Sequence, residues 1–239
     1  MLDGAARGWE TMGMRPAALL LCCLAAGCGN KTTDGDGFEP PPEQPVPYDP
    51  ETQIEYPAAP YGIEKGSVIE NYGFPGFVNP AEQPKEIKTI RLSDFYNPTG
   101  DETFPAGGAF PEGQPKPKAM LIVMSAVWCG PCQLEAAKTL PDKHEEFAPA
   151  GEFLLVLADS ETAGVPADDS DLAGWTNKYP TDFPAVIDPD YELGQQFPAS
   201  AYPANMILDT TTMTIVEKIT GAAPEEGAFW DTFASLAGQ

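Results

Sequence analysis

The chain is poor in positive charge. Its 239 residues include 13 lysines and arginines against 36 aspartates and glutamates, for a net charge of −23. A surface of that sign repels nucleic acid and anionic lipid, which argues against a DNA or RNA role. Solubility is the plain meaning of the charge, and a preference for cationic protein partners is the second. Histidine is scarcer still: His144 stands alone within the charged run D-K-H-E-E, where exposure is expected. Five cysteines fall into two groups, Cys22, Cys23 and Cys28 near the start and Cys129 and Cys132 in the body. One pair in the body cannot make a disulfide framework. No apolar run reaches the roughly 20 residues of a membrane-spanning helix, and no internal repeat is visible. The length suffices for one sizeable core or two small ones.

What is present begins with an export signal. Arg15, the apolar run Ala17–Ala26 and the small residue Gly27 give its basic, apolar and cleavage parts in order. Met12 or Met14 starts a signal of more normal length than Met1 does. The stretch L-A-A-G-C (Leu24–Cys28) resembles a bacterial lipobox, in which the cysteine is lipidated and becomes the mature N-terminus. Ala25 stands where leucine is usual, and a plain secretory cut nearby is the alternative. From Asn30 to Pro60 the chain is punctuated by proline and carries seven acids against one lysine. Such a segment buries too little apolar surface to offset its ordering entropy, and after an anchor it reads as an extended tether. The expected organisation is a signal over residues 1–27, a tether over 28–61 and a globular domain over 62–239.

Within the domain, Glu86–Leu92 alternates as a strand does, and a stretch rich in glycine and proline follows to Lys118. Ala119–Ser125 (A-M-L-I-V-M-S) and Glu152–Ala158 (E-F-L-L-V-L-A) are short continuous apolar runs, the mark of strands buried on both faces. A helix is predicted from the cysteine pair to about Leu140, with Pro141 ending or kinking it. Asp169 or Ser170 caps a second helix through Lys178, and Ala185–Asp188 is a minor strand. Met206–Leu208 and Thr214–Ile219 make a hairpin. Pro224 sits early in a last helix carrying Phe229, Trp230, Phe233 and Leu236. Met120 and Met124 belong to the core. The pattern is a mixed α/β sandwich.

The chemistry is concentrated in V-W-C-G-P-C-Q-L-E (Val127–Glu135). A structural zinc site needs two further N or S ligands, and the body of the chain has only His144 to offer. A disulfide closing so short a loop removes little unfolded-state entropy, so a staple is a poor reason for it. A redox pair fits every position. The thiolate is the attacking form, and a helix N-terminus at Cys129 stabilises it through free N–H groups and the macrodipole. Pro131 lacks an N–H and suits the first helical turn. Gly130 leaves room for a partner chain. Cys132, one turn deeper, attacks the mixed disulfide and releases the partner. Cys129 is therefore expected at an exposed helix end, as nucleophile, with Cys132 as resolving thiol.

W-C-G-P-C after a buried apolar strand resembles the thioredoxin fold, and more narrowly the membrane-tethered, TlpA-like thiol–disulfide oxidoreductases of bacteria. The similarity runs from about Ile87 to the C-terminus. It takes in Leu92-Ser93-Asp94, Glu135, F-P-A-V-I-D (Phe183–Asp188) and Y-P-A-N-M-I-L-D (Tyr202–Asp209). The resemblance implies a cis proline at Pro203 facing the cysteine pair and a central mixed β-sheet flanked by helices, with an N-terminal extension. Val123 stands where thioredoxins carry a buried, proton-transferring aspartate six residues before the first cysteine. Glu135 is the nearest carboxylate in sequence, one helical turn beyond Cys132, and either assists deprotonation or lies solvated at the surface. Tyr202 and Ala204 replace the residues usual beside the proline. Trp128 packs beside the pair and shapes partner access.

These readings imply an enzyme without cofactor or metal, a monomer exchanging with protein thiols and disulfides. It would be held outside the cytoplasm by lipidated Cys28 and supplied with electrons by a membrane partner, as a reductase. A peroxiredoxin-like thiol peroxidase is the enzymatic alternative. It calls for a threonine or serine shortly before the reactive cysteine, where Ser125 stands, and an arginine from the late strands, yet none follows Arg91. A binding module with an inert disulfide is the other alternative.

Overall fold

The computed structural model describes residues 54–197 and 201–239. The signal, Cys28 and the tether up to residue 53 lie outside the described residues. Among the described residues no helix is long and apolar enough to cross a membrane. Tyr56, near the end of the expected tether, is already packed on the domain. Its hydroxyl donates to the Ile69 carbonyl at 2.9 Å and its ring meets that of Tyr96 edge-on.

Seven strands form one mixed sheet: β1 (Gly73–Phe77), β2 (Lys88–Arg91), β3 (Ala119–Ala126), β4 (Gly151–Asp159), β5 (Ala185–Ile187), β6 (Ala204–Asp209) and β7 (Thr214–Thr220). Their order across the sheet is β2-β1-β5-β4-β3-β6-β7. The two apolar runs seen in the sequence are β3 and β4, paired in parallel at the centre, and β6 runs antiparallel along the other side of β3. Every residue of β3 is buried. Because side chains alternate across a strand, Leu121 and Val123 enter one core cluster while Met120, Ile122 and Met124 enter the other. The first cluster also takes the buried side chains of the helices α2 (Leu140–Phe147), α3 (Asp169–Lys178) and α4 (Ala228–Ala237). The second is closed by Leu92 and Phe95 of a 3₁₀ turn, Leu193 of another, and the interlocked rings of Phe95, Phe104 and Phe110.

Several local expectations are corrected. Pro141 does not end the first helix. Helix α1 (Gly130–Leu134), a π turn (Glu135–Thr139) and α2 run on continuously to Phe147. A proline lacks the donor N–H and crowds the preceding turn, and the wider π turn immediately before it accommodates both defects. Asp168, one residue earlier than expected, caps α3 by accepting from the N–H groups of Ser170 and Asp171. α4 starts at Ala228 rather than near Pro224, whose carbonyl instead accepts the Trp230 indole N–H. Strand β1 was not predicted, since two glycines and a proline in G-F-P-G-F weaken any strand pattern. It pairs with β5 only at Gly76 and Phe77, leaving Pro75 outside that ladder. Gly76 is required, because a Cβ there would lie 2.3 Å from the Ala185 carbonyl oxygen.

His144 is not exposed. It completes the Leu140, His144, Phe147 stripe of α2 and is 8% accessible. Its Nε2 lies 2.9 Å from Glu152 Oε1 and its Nδ1 3.0 Å from Asp182 Oδ1, with Phe153 and Phe183 edge-on to the ring. Two acceptors on two ring nitrogens call for the doubly protonated imidazolium. Burial opposes that charge, but Glu152 and Asp182 outweigh it and hold the pKa above the ordinary 6.5. A folded pKa above the unfolded one gives stability that is complete below about 6.5 and is lost as pH rises through the folded value. The melting-temperature advantage of the parent over His144→Phe should therefore be larger at pH 6 than at pH 9. The ring proton shifts of this single histidine should titrate above 6.5; a midpoint below it overturns the assignment.

Candidate functional site

The cysteine pair sits where β3 ends and α1 begins. β3 carries the chain up to Ala126, Val127 ties back by donating its N–H to the Asp159 carbonyl, and the chain then turns into the helix. Cys129 is the N-cap residue in extended conformation, and its sulfur accepts the Cys132 N–H at 3.1 Å. Pro131 occupies the first turn of α1. Cys129 and Cys132 are joined as a disulfide. The local sequence explains the geometry: a sulfur at the cap position takes one of the four N–H groups a helix start leaves free, and proline removes another.

One expectation fails here. Cys129 is 1% accessible in the disulfide state, as covered as Cys132, so exposure does not distinguish the two sulfurs. Gly130 and Pro131 are exposed beside them. What separates the cysteines is the helix end: Cys129 faces the free N–H groups, whereas Cys132 lies inside the first turn.

For Glu135 the structure decides between the two positions left open. This glutamate is not a solvated surface residue but is 2% accessible. Its Oε1 accepts from the Ala223 N–H at 2.6 Å and from Asn205 Nδ2 at 3.1 Å, while Oε2 has no protein partner. Asn205 is opposite Val123 on the neighbouring strand, the position where the resemblance would place a buried aspartate. The carboxyl thus reaches the space under the helix from the helix itself. Burial pushes its pKa up to about 7, against the two hydrogen bonds that favour the anion. Residues three apart are neighbours on a helical surface, so this group belongs to the surroundings of Cys132.

Pro203 is preceded by a cis peptide bond and leads directly into β6. The ring of Tyr202 meets that of Trp128 edge-on at 6.0 Å, and Tyr202 packs against the cluster that holds both cysteines. Trp128 is 39% accessible and donates its indole N–H to Asp159 Oδ2 at 2.9 Å. Trp128, Cys129, Cys132, Glu135 and the Tyr202–Pro203 turn are thereby assembled at one end of the sheet. A buried strand running into a cysteine-capped helix, a parallel return strand, and an antiparallel hairpin entered by a cis proline make up the observed arrangement. The fold is thioredoxin-like.

No family model matches the sequence, and no curated protein matches it significantly. Solved structures do resemble it. A protein assigned as the thiol:disulfide interchange protein DsbE of Chlorobium tepidum is 16% identical, with 74% of this chain and 99% of that one covered and a TM-score of 0.48. A secreted thiol–disulfide isomerase of Corynebacterium glutamicum is 18% identical, covering 78% and 99%, with a TM-score of 0.48. The peroxidoxin BcpB of Mycobacterium tuberculosis is 14% identical, covering 72% and 95%, with a TM-score of 0.46.

Three residues at the site escaped the sequence reading. Asp159 closes the apolar run of β4 and gathers donors from Trp128, Tyr191 and Gly164. Asn205 breaks the apolar run of β6, and Tyr191 lies in an undistinguished acidic loop. A polar residue inside or closing a buried strand was the available signal for the first two. Among the described residues no group of three or more His, Cys, Asp or Glu side chains could hold a metal.

The raised pKa of Glu135 has a stability consequence with a definite sign. The folded state favours the protonated acid, so stability is complete below the unfolded value near 4.5 and falls as pH rises toward about 7. At about 1.36 kcal/mol per pKa unit, the loss is on the order of 3 kcal/mol. Glu135→Gln, which cannot ionise, should gain stability relative to the parent between pH 5 and pH 8 by denaturant unfolding. A difference that does not change with pH would contradict the assignment.

Proposed function

We propose that the chain is an extracytoplasmic thiol–disulfide oxidoreductase working as a reductase of protein disulfides. The observation that carries this is the cysteine pair at a helix N-terminus with a buried, near-neutral carboxyl one turn on. In the reduced enzyme the Cys129 thiolate attacks a sulfur of the target disulfide. A mixed disulfide forms and the first target thiolate leaves. Cys132 then loses its proton and attacks Cys129 sulfur, freeing the second target thiolate and closing the Cys129–Cys132 bond. Two electrons pass to the target. Glu135, balanced between its two protonation states near neutral pH, is the group to take the Cys132 proton, in place of the aspartate that Val123 replaces. Pro203 and Trp128 flank the approach of the target chain. A membrane electron donor returns the pair to the dithiol, and the chain acts as a monomer.

Charge supports the reducing direction. No basic residue precedes Lys138 in the helix, and the Asp159 carboxyl is hydrogen-bonded to Trp128, the residue before Cys129. Negative neighbours disfavour a thiolate, and a less stable thiolate makes a stronger reductant. Reducing thioredoxins lie near −270 mV and strong oxidants near −120 mV, a gap of about 7 kcal/mol for two electrons. Two readouts of the pair test the reading. Cys132→Ser should accumulate mixed disulfides with target proteins while Cys129→Ser does not, and equilibration with glutathione should place the potential nearer about −270 than about −120 mV. The reverse trapping pattern sinks the role assignment, a potential above about −150 mV sinks the direction, and failure to exchange leaves only an inert module.

A peroxidase reading is disfavoured by placement. Arg91, the last arginine, lies in β2, with β1, β5 and β4 between it and β3. Lipidation of Cys28 supplies the anchor, since a diacylated cysteine provides the two chains that stable attachment takes. Cys28→Ala should move the protein from the membrane fraction to the soluble one. Retention in the membrane fraction equal to that of the parent would refute the anchor.

A further inference from the structure

Beside the cysteine pair lies a groove of about 420 Å³ that the exchange chemistry does not use. Its walls are the rings of Trp128, Tyr191, Phe197 and Tyr202, and Asp159 lies among them. Asp159 is buried, and its two oxygens accept the Trp128 indole N–H, the Gly164 N–H and, at 2.8 Å, the Tyr191 hydroxyl. All three donors are neutral. Among the described residues no lysine, arginine or histidine forms an ion pair with it. Lys218, the cation nearest Phe197, sits over that ring, is tied to the carbonyls of Ile63 and Gln196, and is not part of the lining.

The surroundings add negative charge. Burial first, then repulsion from Asp188, Asp190 and Glu70, raises the pKa of Glu192, next to Tyr191. Burial and then the charges of Asp159 and Asp188 push the Tyr202 hydroxyl up to about 12, so the carboxylate field reaches the groove wall. Tyr191 is also held at φ 55°, a left-handed conformation uncommon outside glycine.

We propose that this groove binds a lysine or arginine side chain of the target polypeptide close to the disulfide presented to Cys129. Aromatic faces attract a cation through their quadrupole, and an uncompensated carboxylate beside them adds direct attraction in a site partly shielded from water. The long aliphatic stem of either residue fills the space between the rings. This rests on the thiol–disulfide reading, which places the target chain beside Trp128. It deepens that reading by naming the class of target: disulfides with a basic neighbour.

The test separates binding from chemistry. The full-length, oxidised protein is titrated with capped, cysteine-free peptides Gly-Ser-Xaa-Ser-Gly, where Xaa is lysine, arginine, leucine or glutamate. The Trp128 indole resonance, assigned by its loss in Trp128→Phe, reports occupancy. The basic peptides should shift it at concentrations about tenfold below the leucine peptide, with the glutamate peptide weaker still. The preference should vanish near 1 M salt, where the screening length is about 3 Å. It should also vanish in Asp159→Asn, which removes one charge from a net −23 and so separates this groove from the general field. Equal response to lysine and leucine, no response to any peptide, or a preference that survives Asp159→Asn overturns the proposal. Because no thiol takes part, failure of the disulfide-exchange reading would appear separately, as absence of mixed disulfides.

Discussion

Strand β3 has water on neither face and a hydrogen-bonded neighbour on each edge. A strand so placed must satisfy its backbone entirely through the sheet, which fixes it between β4 and β6 and leaves its direction no freedom. Everything at the site is referred to that strand. Its end delivers Trp128 and Cys129, the parallel ladder brings Asp159 to the same level on β4, and the antiparallel ladder sets Asn205 against Val123. Opening one ladder would expose a row of unpaired N–H and C=O groups within an apolar core, at about 1–3 kcal/mol each.

Against this apolar frame the buried carboxyls stand out. Glu135 and Asp159 are both nearly inaccessible, and neither is paired with a cation among the described residues. They are handled differently. Asp159 is surrounded by three donors and holds Trp128 and Tyr191 in place. Glu135 has donors on one oxygen only, so it yields part of the burial penalty by holding its proton up to about pH 7. A carboxyl ringed by donors suits positioning, while a proton held near neutrality suits transfer. The two environments divide those tasks at one end of one sheet.

The continuous helix through Pro141 serves the same arrangement. Had the helix stopped there, His144 would not meet Phe153 nor Phe147 the ring of Phe233, and the connection to β4 would start a turn earlier. The π turn spans Glu135 itself. A helix widened at that point changes the phase of its side chains, and the same local distortion that admits the proline accompanies the inward turn of the glutamate.

The sequence by itself determined the central strands, the cysteine pair and the helix start, because each rests on local chemistry. Continuous apolar runs demand two-sided burial, and a C-G-P-C at the end of such a run is a capped helix with its two sulfurs together. It also placed the late hairpin, while the cis proline at Tyr202–Pro203 was implied by the resemblance. What the tertiary structure decided are the matters of long-range proximity. D-K-H-E-E reads as a solvated run, yet Glu152 and Asp182, distant in the sequence, turn His144 inward. Two glycines and a proline weaken any strand pattern in G-F-P-G-F, and β5 and β2 supply the edges it pairs with. Glu135 looks like a surface glutamate until Asn205 and Ala223 supply donors under the helix. Burial of a polar group depends on partners that only the folded chain brings within reach, and no local pattern encodes them.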